Sequence, residues 1–397
     1  MIYRDITIAL QKAAKHFRAV AVLGPRQSGK KTLVQQVFAH HRYISFEDLD
    51  IRERAIRDPR LFLKEYPSGH GIILDEIQHV PDLLSYIQTI ADREKKNGFF
   101  IITGSQNFLV NEAVSQTLAG RLALLTLYPL SIEELEGAKL LPKTIEEAVF
   151  NGCYPAVYAE DAPPVNTYAN YIRTYVERDV RQIQNVTNLN LFQRFLQLCA
   201  GRIGQLLNLN SLANDCGIDA KTARAWLSIL EASYVVFLLY PYYKNFGKRL
   251  IKSPKLYFVD TGIACSLLNI RDHKQMYEHY MRGSLIESYV ISDLYKQYYN
   301  LDLKPSIYFW RDYQGNEIDC LLEEALYLSP IEIKAGRTVS QGYFKQFVYW
   351  KELKTSVPSQ NFVIYSGDED QTWPEARVLS WKTSGSLVKK LTMPIED

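Results

Sequence analysis

Residues 19–38 read AVAVLGPRQSGKKTLVQQVF, and residues 71–76 read GIILDE. An apolar run, a loop bounded by Gly24 and Gly29, a lysine at Lys30 and the start of a helix near Lys31 form a strand-loop-helix unit. In that setting the glycines let backbone N–H groups face phosphates, the helix N-terminus adds its positive end, and Lys30 reaches the outer phosphates. Gly24, Arg26, Gln27, Ser28, Gly29, Lys30, Lys31 and Thr32 are therefore the expected phosphate-binding residues. The second run delivers Asp75 and Glu76 at a strand's C-terminal end, where ligands bind in parallel sheets. Asp75 is expected to hold Mg2+, directly or through water, and Glu76 to orient or deprotonate an attacking water.

One residue breaks the pattern. Such loops continue from lysine to Ser or Thr, whose hydroxyl meets the metal; here Lys31 follows Lys30 and the hydroxyl comes one later, at Thr32. A helix turns about 100° per residue, so Thr32 does not occupy the same place. The expectation is nucleotide binding with weakened metal coordination and slow or absent hydrolysis. FFIITGSQN ends a further strand with Thr103, Ser105, Gln106 and Asn107, either as a phosphate sensor or as a capped turn. Arg121, in LAGRLALL, reads either as an arginine finger for a neighbouring copy in a homo-oligomer or as a surface arginine.

Working outward, AVAVLG, KTLVQQVFAHH, YISFEDL, GIILDEI and GFFIITGS alternate buried strands with helices, which predicts an α/β domain with a parallel sheet over residues 1–138. A proline-containing connector at 139–169 leads into helical patterns to about 270. There Ser211 to Gly217, a break at Ile218 and Asp219, and a helix from Ala220 have the shape of a helix-turn-helix, with VVFLLYPYY and KLYFVD as a wing. Residues 271–397 read as a long helix followed by strands.

The chain has 397 residues, 47% hydrophobic and 23% charged, enough for two or three folded units. A net charge of +2 means that a nucleic-acid partner must meet a local basic patch. The five cysteines are scattered without a CxxC pair and are expected as buried thiols in a reducing cytoplasm. No signal peptide or membrane-spanning run is read from the sequence.

GPRQSGK, FEDLD with RDP, ILDEIQ, TGSQ, LAGR, YVERDV, LLNLNSLA, TARAWLSILE, KSPKLYFVDTGI, RGSLIESYV, EIDCLL and IEIKA together resemble the bacterial and archaeal AAA+ ATPases that carry a C-terminal nuclease-like domain of unknown function. The resemblance runs from about residue 15 to 365. It implies a P-loop AAA+ domain at 1–138, a winged helix within 139–270, and a restriction-endonuclease-like α/β domain at 271–397. It also implies ATP as the nucleotide. Lys31 departs from the family pattern, which has threonine there.

In EIDCLLEEALYLSPIEIKA, Glu332 and Lys334 lie two apart and share a strand face, and pairing of the two strands brings Asp319 beside them. With Glu287 on the preceding helix and Glu317 beside Asp319, this set reads either as a magnesium site for phosphodiester cleavage or as a salt-bridge cluster. Asp319, Glu332 and Lys334 are the expected catalytic residues there, and Glu287, Asp319 and Glu332 the expected metal ligands. Lys221, Thr222, Arg224 and Trp226, with Tyr242, Tyr243, Lys244, Phe246, Lys248, Arg249, Lys252 and Lys255, suggest DNA as a partner, against a purely packing role. Two functions stay open: a nucleotide-dependent DNA-acting protein, and an ATP-binding switch working through protein partners.

Overall fold

The structure, a computed structural model, describes residues 2–66, 70–105, 120–176, 188–242, 252–324, 327–353 and 360–392. Strands β1 (Ala19–Leu23), β2 (Arg42–Ser45), β3 (Ile72–Asp75), β4 (Phe100–Gly104) and β5 (Leu122–Thr126) form an all-parallel sheet in the order β2-β3-β4-β1-β5. With them run helices α1 (Thr7–His16), α2 (Lys30–Val37), α3 (Leu49–Arg57), α4 (Pro59–Lys64) and α5 (Leu83–Glu94).

β1 is buried throughout, and its alternating residues serve two cores. Ala19, Ala21 and Leu23 join Ile72, Leu74 and Ile102 against Leu84 and Ile87 of α5. Val20 and Val22 join Ile73 and Ile101 against Leu10 of α1 and Leu33 and Val34 of α2. Both faces being covered is why these strands are continuous apolar runs. Because the strands run one way, the ends of β1 and β3 open on one edge of the sheet, where the glycine loop lies.

The next segment contains α6 (Ile132–Gly137), α7 (Ile145–Asn151), α8 (Pro155–Ala159), α9 (Pro164–Tyr171), α10 (Leu189–Ala200), α11 (Leu209–Cys216) and α12 (Ala220–Ala232). The antiparallel pair β6 (Val236–Leu239) and β7 (Lys255–Phe258) follows, then α13 (Thr261–Leu267) and α14 (His273–Glu278). The expected connector at 139–169 thus holds short helices, and Ile145, Ala148 and Val149 of α7 are core residues. Gly217, at φ 80°, ends α11, and the Asp219 side chain accepts the Thr222 N–H to start α12. The break read at 218–219 is this turn.

The last segment opens on α15 (Arg282–Asn300) and carries β8 (Ile307–Arg311), β9 (Glu317–Glu324), β10 (Tyr327–Lys334), α16 (Lys345–Leu353), β11 (Phe362–Tyr365), β12 (Gln371–Thr372), β13 (Arg377–Ser380) and α17 (Leu387–Thr392). Its mixed sheet has the order β12-β13-β11-β10-β9-β8. One apolar cluster runs from Tyr128 to Val388 and so spans the middle and C-terminal segments together. α15 ties it to the end of the parallel domain: Asp293 accepts the Ile132 N–H at 2.8 Å, and Lys296 donates to the Leu130 carbonyl at 3.2 Å.

All five cysteines are free and buried. No helix among the described residues is long and apolar enough to cross a membrane. Gln106 and Asn107, and Tyr243, Lys244, Phe246, Lys248 and Arg249 of the expected wing, lie outside the described residues.

Candidate functional site

Gly24 follows β1 at φ 146°, and a Cβ there would come within 2.1 Å of the Leu127 carbonyl oxygen, so only glycine fits this turn. Gly29, at φ 93°, is the N-cap of α2. Lys30 is buried and folds back across the loop, donating to the carbonyls of Gly24 at 3.0 Å and Pro25 at 2.7 Å. The Ser28 hydroxyl is buried without a hydrogen-bond partner among the described residues. Arg4 braces the loop from outside, donating to the Ser28 carbonyl, the Tyr128 carbonyl (2.7 Å each) and the Glu134 carboxylate (3.0 Å).

Asp75 ends β3 beside this loop, and hydroxyls hold both of its oxygens. Tyr43 donates to Oδ2 at 2.5 Å and Thr103 to Oδ1. Burial and the adjacent Asp75 carboxylate push the Tyr43 phenol well above its ordinary range, which keeps it a proton donor. Glu76 sits in the left-handed region at φ 57°; its Oε2 accepts from Gln78 and, at 3.1 Å, from Ser105. The Lys31 ammonium lies 4.9 Å from the centre of the Tyr43 ring.

A cavity of about 350 Å³ lies here, lined by Gln27, Gly29, Lys30, Lys31, Thr32, Glu47, Asp75, Glu76 and, from the middle segment, Pro155, Ala156 and Glu160. Most of the expected phosphate-site residues meet in it. Gly24 and Ser28 shape the loop, Arg26 is half-buried, and Ser105 is turned to Glu76. Arg121 stands elsewhere: it precedes β5, whose first residue pairs with Ala19 at the opposite end of β1, and its guanidinium pairs with Asp92 at 2.6 Å.

Magnesium fits this set poorly. The first-turn hydroxyl is replaced by an ammonium, and both Asp75 oxygens already accept hydrogen bonds from hydroxyls.

The second predicted set comes together around β9 and β10. Their antiparallel register, Ile331 opposite Cys320, puts Glu332 opposite Asp319. Lys334 contacts Glu332 at 2.5 Å and Asp319 at 3.7 Å, and Asp319 accepts the Ile333 N–H at 2.8 Å. Lys255 of β7 enters from the other side, 3.1 Å from Glu287 and paired with Glu317, which Arg311 also contacts at 2.9 Å. Tyr257 donates to Glu287 at 2.5 Å. Burial raises the Glu287 and Glu332 carboxyls well above the usual range, the Asp319 charge adding to both, and Glu332 Oε1 has no hydrogen-bond partner among the described residues. The expected ligand set of Glu287, Asp319 and Glu332 is thus an ion-pair network in which two lysines and an arginine stand among the carboxylates.

Three residues expected on a DNA-facing surface are interior. Trp226 packs edge-on against Phe192 and Phe195, Tyr242 against Tyr308, and Lys255 is the buried cation just described. Their aromatic and basic character looked like a nucleic-acid surface, while the helical spacing of Trp226 with Ala223 and Leu230 signalled core. Lys221, Arg224 and Lys252 are exposed. Tyr43, Arg4, Lys255 at the acidic cluster, and α8 had no motif to mark them.

The sequence matches three family models: an AAA domain over residues 16–136, and domains of unknown function over 142–274 (DUF8612) and 282–383 (DUF4143). The uncharacterized protein Rv2008c of Mycobacterium tuberculosis is 30% identical over 85% of this chain and 75% of its own length. The uncharacterized protein MJ1637 of Methanocaldococcus jannaschii is 25% identical over 95% of this chain and 88% of its own. Among solved structures, the Walker-type ATPase paby2304 of Pyrococcus abyssi is 13% identical, with a TM-score of 0.41 over 66% of this chain and 95% of that one. With the glycine loop at the end of β1, the acidic pair at the end of β3 and a relative this similar across most of its length, the chain belongs to the AAA+ ATPase family whose members carry a C-terminal domain of unknown function.

Proposed function

We propose that this protein is an ATP-binding switch that turns its nucleotide over slowly and acts through the posture of its middle and C-terminal segments. One observation carries this reading: the cavity has Gln27 to Thr32 and Asp75 on one wall and Pro155, Ala156 and Glu160 on the other. A ligand filling a gap between two segments favours the arrangement in which it touches both, and can shift their equilibrium by that difference in affinity. Arg4, bonded to the loop and to Glu134, offers a second mechanical link out of the site.

Hydrogen exchange tests it. ATP should slow amide exchange at residues 152–160 in the parent and leave a Lys30→Ala variant unchanged. Intact binding without protection of that segment would refute the switch.

A second reading, DNA binding through α12, is favoured by Lys221 and Arg224 standing three apart on an exposed face. Filter binding across a salt series decides it, because phosphate contacts weaken steeply with salt. Affinity indifferent to salt would speak against it. The ion-paired cluster around Asp319 favours a domain without nuclease activity.

A further inference from the structure

Bound nucleoside triphosphates are normally accompanied by a divalent cation that bridges the outer phosphates to a hydroxyl at the start of the helix and a strand-end carboxylate. Lys31 replaces that hydroxyl, and the Asp75 oxygens accept hydrogen bonds from Tyr43 and Thr103. The Lys31 side chain is exposed on the cavity wall and rests over the Tyr43 ring, whose hydroxyl reaches Asp75. An ammonium is therefore carried at the helix position whose hydroxyl ordinarily meets the cation, on a four-carbon stem able to swing toward the phosphates. Glu47 and Glu160, also on the cavity wall, are exposed, and water screens them.

We infer that this chain binds its nucleotide without a divalent cation, the Lys31 ammonium supplying the positive charge at the outer phosphates. The inference rests on the nucleotide reading above and deepens it. Lys30 neutralises from within the loop and Lys31 from the helix side, the Tyr43 ring being where the Lys31 side chain rests in this structure.

The test is titration of a fluorescently labelled ATP into the full chain, once with excess magnesium and once with excess EDTA. For the parent the two dissociation constants should agree within about twofold, whereas Lys31→Thr should weaken at least about tenfold in EDTA. Lys31→Met should bind about tenfold more weakly than the parent in both conditions, and Lys31→Arg should keep parental affinity in both. Tyr43→Phe in the Lys31→Thr background frees an Asp75 oxygen and should widen the EDTA effect further.

A parent that loses more than about tenfold of its affinity in EDTA overturns the inference while leaving nucleotide binding intact. A Lys31→Met variant with parental affinity overturns the role given to Lys31. Absence of binding in both conditions overturns the nucleotide reading itself, and this inference falls with it. Circular dichroism of each variant separates lost affinity from lost folding.

Discussion

The nucleotide cavity and the cluster around Asp319 are built from the same residue types, lysines beside carboxylates at strand ends, but they are neutralised differently. In the cluster, Lys255 sits between Glu287 and Glu317 and Lys334 between Glu332 and Asp319, so each carboxylate has an ammonium beside it inside the protein. At the cavity, Asp75 and Glu76 are held by hydroxyl and amide donors, Lys30 donates to backbone carbonyls, and Lys31 lies on an aromatic ring. Hydroxyl and amide donors satisfy a carboxylate without bringing a counter-charge. The Lys31 ammonium, resting on an aromatic ring at the cavity wall, can turn to an incoming anion, whereas the cluster's lysines are engaged by its own carboxylates.

The comparison is broken most forcefully at Lys255. Replacing it with Met removes the cation beside the buried Glu287, while Glu317 keeps Arg311, and loss of one partner of a buried pair costs about 3–5 kcal/mol. Urea denaturation should show the loss, and Glu287→Gln added to it should restore part. Unchanged stability would mean that Lys255 does not neutralise the carboxylates it contacts. Lys30→Ala comes next: nucleotide affinity should fall about 100-fold, roughly 2.7 kcal/mol, while the urea midpoint moves little, as calorimetry and denaturation can check together.

Turnover sharpens the contrast. Lys31→Thr restores a hydroxyl at the first turn of α2 and should raise the steady-state ATPase rate about tenfold, or about 1.4 kcal/mol in barrier. A variant no faster than the parent would show that Lys31 does not limit hydrolysis. The cluster should do no chemistry: plasmid incubated with protein, ATP and magnesium should be nicked no more than with an Asp319→Ala control. Nicking lost in that control would establish a nuclease.

The smallest effect concerns Asp5, beside Glu133 and Glu134, whose carboxyl burial and those neighbours push up to about 7. Its folded-state affinity for a proton exceeds its unfolded one, so ionisation opposes folding. That cost is full above about pH 7 and fades as pH falls toward the ordinary carboxylate range. Asp5→Asn should raise the unfolding temperature at pH 8 by about 2–4 °C and flatten its pH dependence between 5 and 8.

Periodicity and spacing carried much of this into view beforehand. AVAVL and IILD are buried on both faces, so their runs announce a parallel sheet, and period two in PIEIK places Glu332 and Lys334 together. What sequence hides is whatever depends on register between distant strands. Tyr43 reaches Asp75 only because β2 lies parallel to β3 with Tyr43 opposite Ile73. Lys255, in a stretch rich in lysine, looks exposed until β7 is seen packed against α15 and the Glu317 strand. Trp226 misled because an aromatic among basic residues fits a DNA surface and a core equally well.

The continuous apolar cluster bears on how such a protein can be recombined. The AAA model ends at residue 136, yet Tyr128, Leu130, Ile132 and Leu135 already belong to the cluster that reaches Val388. Sequence similarity and packing thus divide the chain at different places. A chimera joined after Gly137 would import an ATP-binding module whose last turns fit another protein's helix, while one joined between Leu127 and Tyr128 would exchange modules along their natural seam. Evolutionary shuffling of this N-terminal module meets the same constraint: its final ten residues must travel with the partner they pack against.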